Sequence, residues 1–579
     1  MARRQYGRGL KDRVRELLKA ERGTIVKPRG GRTTVALVYP NTYYVGMSNL
    51  GFQTVYSLIN GRPDALAERA FLPDDAERED YDKTGTPLFA IESQSPVNDF
   101  DIVAFSVSFE NDYINIADLF ALSGIPPFAG ERGEGFPLVI MGGICASFNP
   151  EPVSEFFDLI IIGEAEDVLP EFLTCYNQHK DGSREELIRK LAAIPGVYAP
   201  SFYKPRYRED GTLASFTAEP GLPDKVVRQN VNLEEHRTHS VIITSNTEFS
   251  DMYMVEVSRG CGRHCRFCMA GYVYRPPRAR GVESVMEQVR EGAKLTGKVG
   301  LVGAAVSDYP HINELVAGLS GMEVNFSASS LRADSLTPEL VGLVSKGNRT
   351  VAIAPEAGSE RLRSVINKNL TEEQILGAVR MLIDGGVLNV RLYFMVGLPT
   401  ETADDVNAII DLAKKARETM LSAAKEKGRV GTLTLSINCF IPKPWTPFQW
   451  EAMEDIGSLD EKLRHIKKSL KGVPNLAVIH DVPRWAYLQC ALSRGDRKLA
   501  KVIVKAAELD GDWKKAFASE GLDMDFYAGR RREADELLPW DFIDTGIEKE
   551  YLLKERARAD KGGHTPRCKV GKCKACGVC

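Results

Sequence analysis

Residues 258–278 read SRGCGRHCRFCMAGYVYRPPR, and within them Cys261, Cys265 and Cys268 are spaced Cys-x3-Cys-x2-Cys. The apolar run MVEVS (254–258) immediately before them predicts a strand, so the cysteines fall in the loop at that strand's carboxyl end. Structural zinc takes four protein ligands and disulfides need pairs, and a triplet with no fourth cysteine nearby suits neither. Three thiolates can hold three irons of a cubic iron–sulfur cluster and leave the fourth iron open to another ligand.

Downstream, apolar runs recur at 299–305, 323–329, 350–356, 389–397 and 432–440, with amphipathic stretches between them. Strands alternating with helices predict an α/β region with parallel strands. The triplet, with the aromatic Phe267 just before its last cysteine, resembles the radical S-adenosylmethionine (SAM) superfamily. That resemblance implies a partial (βα)6 barrel over 251–450, a 4Fe-4S cluster on Cys261, Cys265 and Cys268, and SAM bound to the open iron through its amino and carboxylate groups. One electron, from a flavodoxin- or ferredoxin-type donor, then cleaves SAM to a 5'-deoxyadenosyl radical that abstracts hydrogen from a substrate.

The same resemblance nominates further SAM contacts. Phe267 packs on the adenine or in the core. Gly303, Ala304 and Ala305 occupy the place of a small-residue motif that meets the SAM amino group; the family's usual final acid is missing, and Asp308 lies close by. Ser327, Ser329, Arg332 and Glu356 match positions that contact the ribose or carboxylate, and Gly397 and Pro399 match the segment passing the adenine. Arg275, Arg278 and Arg280 either hold an anionic substrate or cap the barrel with salt bridges, the second being the simpler expectation. Cys439 is expected in the core.

Upstream, TTVALVYP (33–40), PLFAIES (87–93), DIVAFSVS (101–108), PLVIMGG (137–143) and FDLIIIGE (157–164) are near-continuous apolar runs separated by helix-like stretches. Strands buried on both faces have this pattern, and a doubly wound parallel sheet over 33–180 is expected. Ligands of such sheets bind beyond the strands' carboxyl ends, which here carry Ser48, Gly51, Ser106, Ser108, Gly142, Gly143 and Glu164. A sheet of this kind ahead of the barrel resembles the cobalamin-binding radical SAM subclass. No histidine precedes His179, so a bound cobalamin would lack a histidine below its cobalt; the sheet alternatively serves packing or substrate contact.

Residues 181–250 are expected to form a connector with a hairpin at Asp210-Gly211, and 451–560 a helical C-terminal region. The chain closes on a cysteine-rich tail at 561–579, in which Cys568, Cys573, Cys576 and Cys579 are spaced x4, x2, x2. Four such thiols can close a zinc tetrahedron, wrap an auxiliary iron–sulfur cluster, or remain redox thiols, and spacing leaves these open.

The whole chain has 579 residues, a formal charge of -4 and a pI near 6.2, which excludes a uniformly basic nucleic-acid binder. Its ends differ: residues 1–32 carry eleven Lys or Arg against three acids, and 561–579 carry five against none. These segments are solvated termini or local RNA contacts. No apolar stretch reaches membrane-spanning length and no apolar signal region follows the basic N-terminus, so a cytoplasmic location without membrane contact is expected. Three functions follow, in order: a radical SAM enzyme, with or without cobalamin, transferring methyl or sulfur to a large substrate such as RNA; a cobalamin-independent radical SAM enzyme acting on a small metabolite; an iron–sulfur RNA-binding or redox module without turnover. Oligomeric state is left open.

Overall fold

The computed structural model describes residues 2–329, 331–425 and 427–579. The chain divides into two compact units: one runs up to Asp251 and adds Leu492–Met524 and Asp535–Thr545, while the other comprises Met252–Ala491, Asp525–Ala534 and Gly546–Cys579.

The first unit is built on a sheet of β1 (Thr33–Tyr39), β2 (Ala65–Phe71), β3 (Ile102–Ser106), β4 (Leu138–Gly142), β5 (Leu159–Ile161) and β6 (Val197–Tyr198). The strand order is β2-β1-β3-β4-β5-β6, parallel except for the last pair. Strand β1 is buried at every position, which is why it reads as an unbroken apolar run. The winding reverses between β1 and β3, and the ligand-binding crevice of such sheets lies at that point.

One strand was not expected, and one expected strand does not form. The second strand is Ala65–Phe71, whose Glu68 and Arg69 break the apolar pattern. Arg69 is nonetheless fully buried, held by Glu21 at 2.7 Å and by Glu92 at 2.7 Å, while Glu68 accepts from Ser93. Paired charges of this kind are tolerated inside a sheet. The run at 87–93 forms no strand: it makes one bridge, Phe89 to Pro96, and contributes Glu92 to Arg69. The hairpin around Asp210-Gly211 forms between Tyr203–Tyr207 and Leu213–Ala218.

The second unit carries β7 (Tyr253–Glu256), β8 (Lys298–Val302), β9 (Asn325–Ala328), β10 (Thr350–Glu356), β11 (Asn389–Val396), β12 (Leu433–Cys439) and β13 (Leu476–His480). They form the sheets β7-β8-β9 and β10-β11-β12-β13, all parallel, with a single parallel bridge from Leu331 to Ile353 between the two. This is an unclosed barrel. Amphipathic helices cover it, among them Glu372–Asp384, which starts with a Thr371/Gln374 capping box, and Ala403–Lys425.

The stretch 451–560 is not uniformly helical. Strand β13 lies at the sheet edge with mostly half-buried residues, so it lacks the apolar run that marked its neighbours. Leu492–Met524 joins the first unit because Asn149 donates to the carbonyls of Ser493 and Gly495 at 3.0 and 2.9 Å, and Arg497 pairs with Glu151 at 3.1 Å. No helix among the described residues is long and apolar enough to cross a membrane.

Candidate metal centre

Beyond β7, the two-residue strands Ser258–Arg259 and Arg278–Ala279 pair antiparallel and close the cysteine loop at its base. Gly260 has φ +79, and a Cβ there would sit 2.3 Å from the Tyr274 carbonyl oxygen, so only glycine lets the two limbs approach. Inside the loop the Cys261 N–H donates to the Ala270 carbonyl and the Cys268 N–H to that of Cys265, both at 3.1 Å.

Residues between the cysteines fasten the loop to the unit. The fully buried Arg266 donates to the carbonyls of Ser364 and Val365 at 3.1 and 2.8 Å and pairs with Glu555 at 3.3 Å. The Asn367 side-chain amide donates to the carbonyls of Arg263 and His264 at 3.2 and 3.1 Å. Arg263 pairs with Asp308 at 2.5 Å and with Asp334 at 2.9 Å. His264 Nδ1 lies 2.6 Å from an Arg275 nitrogen and 2.5 Å from the Tyr551 hydroxyl. Burial, then the charges of Arg275 and Arg266, push His264 down to about 3, so it is neutral.

The three thiols sense one another. Burial, reinforced by Cys265 and Cys261, pushes Cys268 up to about 12. Burial also raises Cys261, against the pull of the Arg263 backbone N–H and with a contribution from Cys265. Among the described residues, no three His, Cys, Asp or Glu side chains converge closely enough to hold a single metal ion. Three thiols close to one another on one loop could occupy corners of a cubic cluster, whose irons would bind them as thiolates.

Around the loop, the nominated SAM contacts take varied places. Phe267 is half-buried against a core that includes Leu362, Ile366, Met395 and Phe448, so part of its ring stays open. Gly303 and Ser329, at the ends of β8 and β9, are joined by the Ser329 hydroxyl donating to the Gly303 carbonyl at 3.1 Å. Ala304 is exposed and Ala305 half-buried beside them. Ser327 donates instead to Asn348 at 3.0 Å. Arg332 pairs with Asp334 at 3.0 Å; although burial works the other way, Cys265 and Asp334 push its guanidinium up. Glu356 ends β10 next to Cys268, whose thiol it helps raise, and receives Lys368 at 3.1 Å. The Gly397 N–H donates to Glu401 at 3.0 Å, and Pro399 is half-buried in the following turn. Asp308 is taken by arginines: burial raises it, but Arg263, then Arg567 and Arg332, hold its carboxyl below the usual range.

Arg275 and Arg280 are buried, Arg280 on Glu256 at 3.1 Å, while the half-buried Arg278 donates to the Pro276 carbonyl at 3.1 Å. Cys439 is buried as expected. Sequence reasoning missed Arg266, Asn367, Lys368, Tyr551 and Glu555. The only signal was the charge interleaved with the cysteines in RHCRFC (263–268), since their partners lie about a hundred and three hundred residues away. The tail cysteines form no disulfide, and the Cys568 N–H donates to the Gly262 carbonyl at 2.8 Å.

In the first unit most of the nominated strand-end side chains are bonded within the protein. The Ser48 hydroxyl donates to the Tyr44 carbonyl at 2.6 Å, Ser108 accepts from Asn49 at 3.1 Å, and Glu164 accepts from the Val231 N–H at 2.9 Å. Gly51 stands next to Asn49, near the start of the helix Leu50–Gly61. Ser106, Gly142 and Gly143 line an apolar cavity against β1 and β3, but it measures about 60 Å³. Even a benzene-sized ligand occupies a cavity of ~150 Å³. As it stands the cavity is too small for a nucleotide tail. At the winding reversal, Asn41 donates to Asp112 at 2.8 Å, and burial pushes the Asp112 carboxyl up to about 7.

Family models match residues 51–200, as the N-terminal region of radical SAM proteins, and residues 255–413, as the radical SAM superfamily. An uncharacterised protein of Methanocaldococcus jannaschii is 31% identical over 477 residues, 81% of this chain and 90% of that protein. The ribosomal protein uS12 methylthiotransferase of Carboxydothermus hydrogenoformans is 22% identical, over 64% of this chain and 88% of its own length. The tRNA-2-methylthio-N(6)-dimethylallyladenosine synthase of Thermotoga petrophila is 26% identical over 37% of this chain, and the chain spans 48% of its length. Among solved structures, SuiB of Streptococcus suis bound to SAM aligns over 39% of this chain and 50% of its own, at 14% identity and a TM-score of 0.28.

Proposed function

The chain belongs to the radical SAM superfamily and is an enzyme, and from that premise we propose that it transfers a methyl or methylthio group to a large substrate, RNA in the first place. The observation that carries the reading is the loop itself: three mutually sensing thiols beyond the first strand of an open barrel, clamped by Arg263, Arg266 and Asn367. The transferred group is argued from the two methylthiotransferase relatives, one named for tRNA and one for a ribosomal protein.

In this reading Cys261, Cys265 and Cys268 hold the cluster. Bound there, it supplies the one electron, delivered by a flavodoxin- or ferredoxin-type donor, that splits SAM into methionine and a 5'-deoxyadenosyl radical. The chain's own residues hold the reactants. The open face of Phe267 offers the adenine a stacking surface, and Gly303 and Ser329 present backbone and hydroxyl groups at the strand ends. Glu356, neutralised on one side by Lys368, presents a carboxylate beside Cys268. Arg332 and Asp308 keep the loop in place through ion pairs, a positioning role. The reading does not require cobalamin, and no step is assigned to it.

The test has two arms. Anaerobically reconstituted protein should form 5'-deoxyadenosine from SAM, and the variant with Cys261, Cys265 and Cys268 all replaced by Ala should form none; undiminished cleavage in that variant overturns the cluster assignment. Mass comparison of tRNA, ribosomal RNA and small metabolites from deletion and parent cells should show a methyl or methylthio group missing from RNA. A change confined to small metabolites would replace the RNA reading with the metabolite one.

A further inference from the structure

In the first unit a second cavity, of about 320 Å³, opens where β1 and β2 end, and it shares no lining residue with the smaller one described above. Open α/β sheets bind their ligands beyond the carboxyl ends of the strands. Tyr43, just after β1, and Phe71, the last residue of β2, contribute rings 5.2 Å apart, and Tyr81 and Phe89 add a second pair at 5.7 Å. The helix Ala2–Lys19 supplies Leu10, Val14 and Leu17, spaced four and three residues apart and so on one face. Polar contacts hold this helix at its flanks: Arg13 pairs with Asp80, and the Gln94 amide donates to the Lys11 carbonyl at 2.9 Å. Val14 and Leu17 are thereby left half-buried against the cavity.

Size and charge narrow what such a cavity takes. Small-molecule sites measure about 300–1,000 Å³ and a cavity of ~150 Å³ holds a benzene ring, so this one has room for two fused rings with a substituent. Among the described residues no lysine or arginine lines it, whereas Asp74 and Glu77 both do. These two form the capping box of the helix Asp75–Thr84: Asp74 accepts from the Glu77 N–H at 2.8 Å and Glu77 from the Asp74 N–H at 3.3 Å. Each carboxylate uses one oxygen in the box, which leaves the second to a donor. Burial, then the charge of Asp74, raises the Glu77 carboxyl, a cost that a donor or cation beside it relieves. A phosphate there meets two like charges instead. Thr42 and Asn246 bring a hydroxyl and an amide to the same walls.

We propose that this cavity binds an uncharged or cationic heteroaromatic molecule of two fused rings carrying an amino group, of the kind an aminopurine base or nucleoside without phosphate represents. The rings lie among Tyr43, Phe71, Tyr81 and Phe89, and the amino group donates to Asp74 and Glu77. The site goes beyond the function proposed above and uses none of its residues.

Equilibrium dialysis of the full chain tests it, with adenosine and adenosine 5'-monophosphate as probes. Val14→Trp fills the cavity, so the unaltered protein should bind one adenosine more per chain than this variant, while iron content and SAM cleavage stay the same in both. At the site so defined the monophosphate should bind at least about tenfold more weakly than adenosine. Asp74→Asn with Glu77→Gln keeps residues that can form the capping box and removes both charges, and should bring the two probes to within about threefold of each other. Equal adenosine binding by the unaltered protein and Val14→Trp overturns the proposal. So does a monophosphate bound as tightly as adenosine, or discrimination that survives the double replacement. These outcomes leave the radical reading standing, because SAM cleavage reports on the cysteine loop alone.

Discussion

Arg266 and Glu555 form a 3.3 Å ion pair in which neither side chain is exposed to solvent. Arg266 directly follows Cys265, and Glu555 lies on the helix Lys549–Asp560, so the pair ties the cysteine loop to the C-terminal helix of its unit. Removing one partner of such a pair strands a buried charge and costs about 3–5 kcal/mol. Glu555→Gln should therefore lower stability in chemical unfolding by that order and reduce iron retained per chain. A loss under about 1 kcal/mol with normal iron would mean that the carbonyls holding Arg266 suffice on their own.

The loop base makes a second prediction through two neighbouring glycines. At Gly260 a Cβ meets the Tyr274 carbonyl at 2.3 Å, whereas at Gly262 the nearest atom is 3.5 Å away, an ordinary contact. Gly260→Ala should lose most of the iron at the first loop and most SAM cleavage, while Gly262→Ala retains both. Equal behaviour of the two variants would show that the paired limbs of the loop can move apart without cost.

Much of the architecture could be read from apolar runs: β1, β3, β4 and β5 are buried on both faces and leave few alternatives, while β7 to β12 also show as apolar runs although β10, β11 and β12 alternate buried with half-buried or exposed positions. Strand β2 escaped because Glu68 and Arg69 interrupt it, and their partners Glu21, Glu92 and Ser93 are distant in sequence. The segment 87–93 has the composition of a strand but serves instead to place Glu92. At the candidate site the cysteines were visible as a spacing. Their clamps were not, since Asn367, Glu555 and Thr565 reach the loop only through the tertiary fold, and nothing in the tail's own spacing says that Cys568 rests on Gly262.

Asp112 predicts a pH dependence for the first unit. Burial, partly offset by the Asn41 hydrogen bond and reinforced by Glu110, raises its folded-state pKa to about 7. The folded form then binds a proton that the unfolded form releases near pH 3.8. Its contribution is complete below that value and is lost as pH rises toward 7, by a few kcal/mol at most. Asp112→Asn should flatten the decline in stability over that window, as read from urea unfolding at several pH values; a variant with the unaltered slope would place the titration elsewhere.

The first unit should purify without corrin. Its cavity of about 60 Å³ would have to widen to take a nucleotide tail, and Ser48, Ser108 and Glu164 already have partners within the protein. Anaerobic protein from cells supplied with cobalamin should show no corrin absorbance after desalting, and SAM cleavage should not depend on added cobalamin. A stoichiometric corrin would require the strands and the helices over the cavity to separate, and would restore cobalamin to the reaction.

RNA binding, if it serves the proposed function, should depend on the tail more than on the N-terminal helix. In that helix, Ala2–Lys19, Arg13 pairs with Asp80, Arg15 with Asp12 at 2.6 Å and Lys19 with Glu16 at 2.7 Å, so much of its positive charge is already matched. Lys569, Lys572 and Lys574 are exposed in a segment without acids. Each phosphate contact releases condensed counterions, about 0.7 per contact on a single strand, so binding through three lysines steepens the salt dependence by about two in the log–log slope. Replacing the three lysines with Gln leaves the cysteines in place. That variant should bind RNA more weakly at low salt, with a slope smaller by about two and little change in sequence preference. The net charge of -4 works against any wider RNA surface and confines the effect to this patch. Absence of binding at low salt, or a slope indifferent to the lysine changes, would remove the case for RNA and put the small-metabolite substrate first.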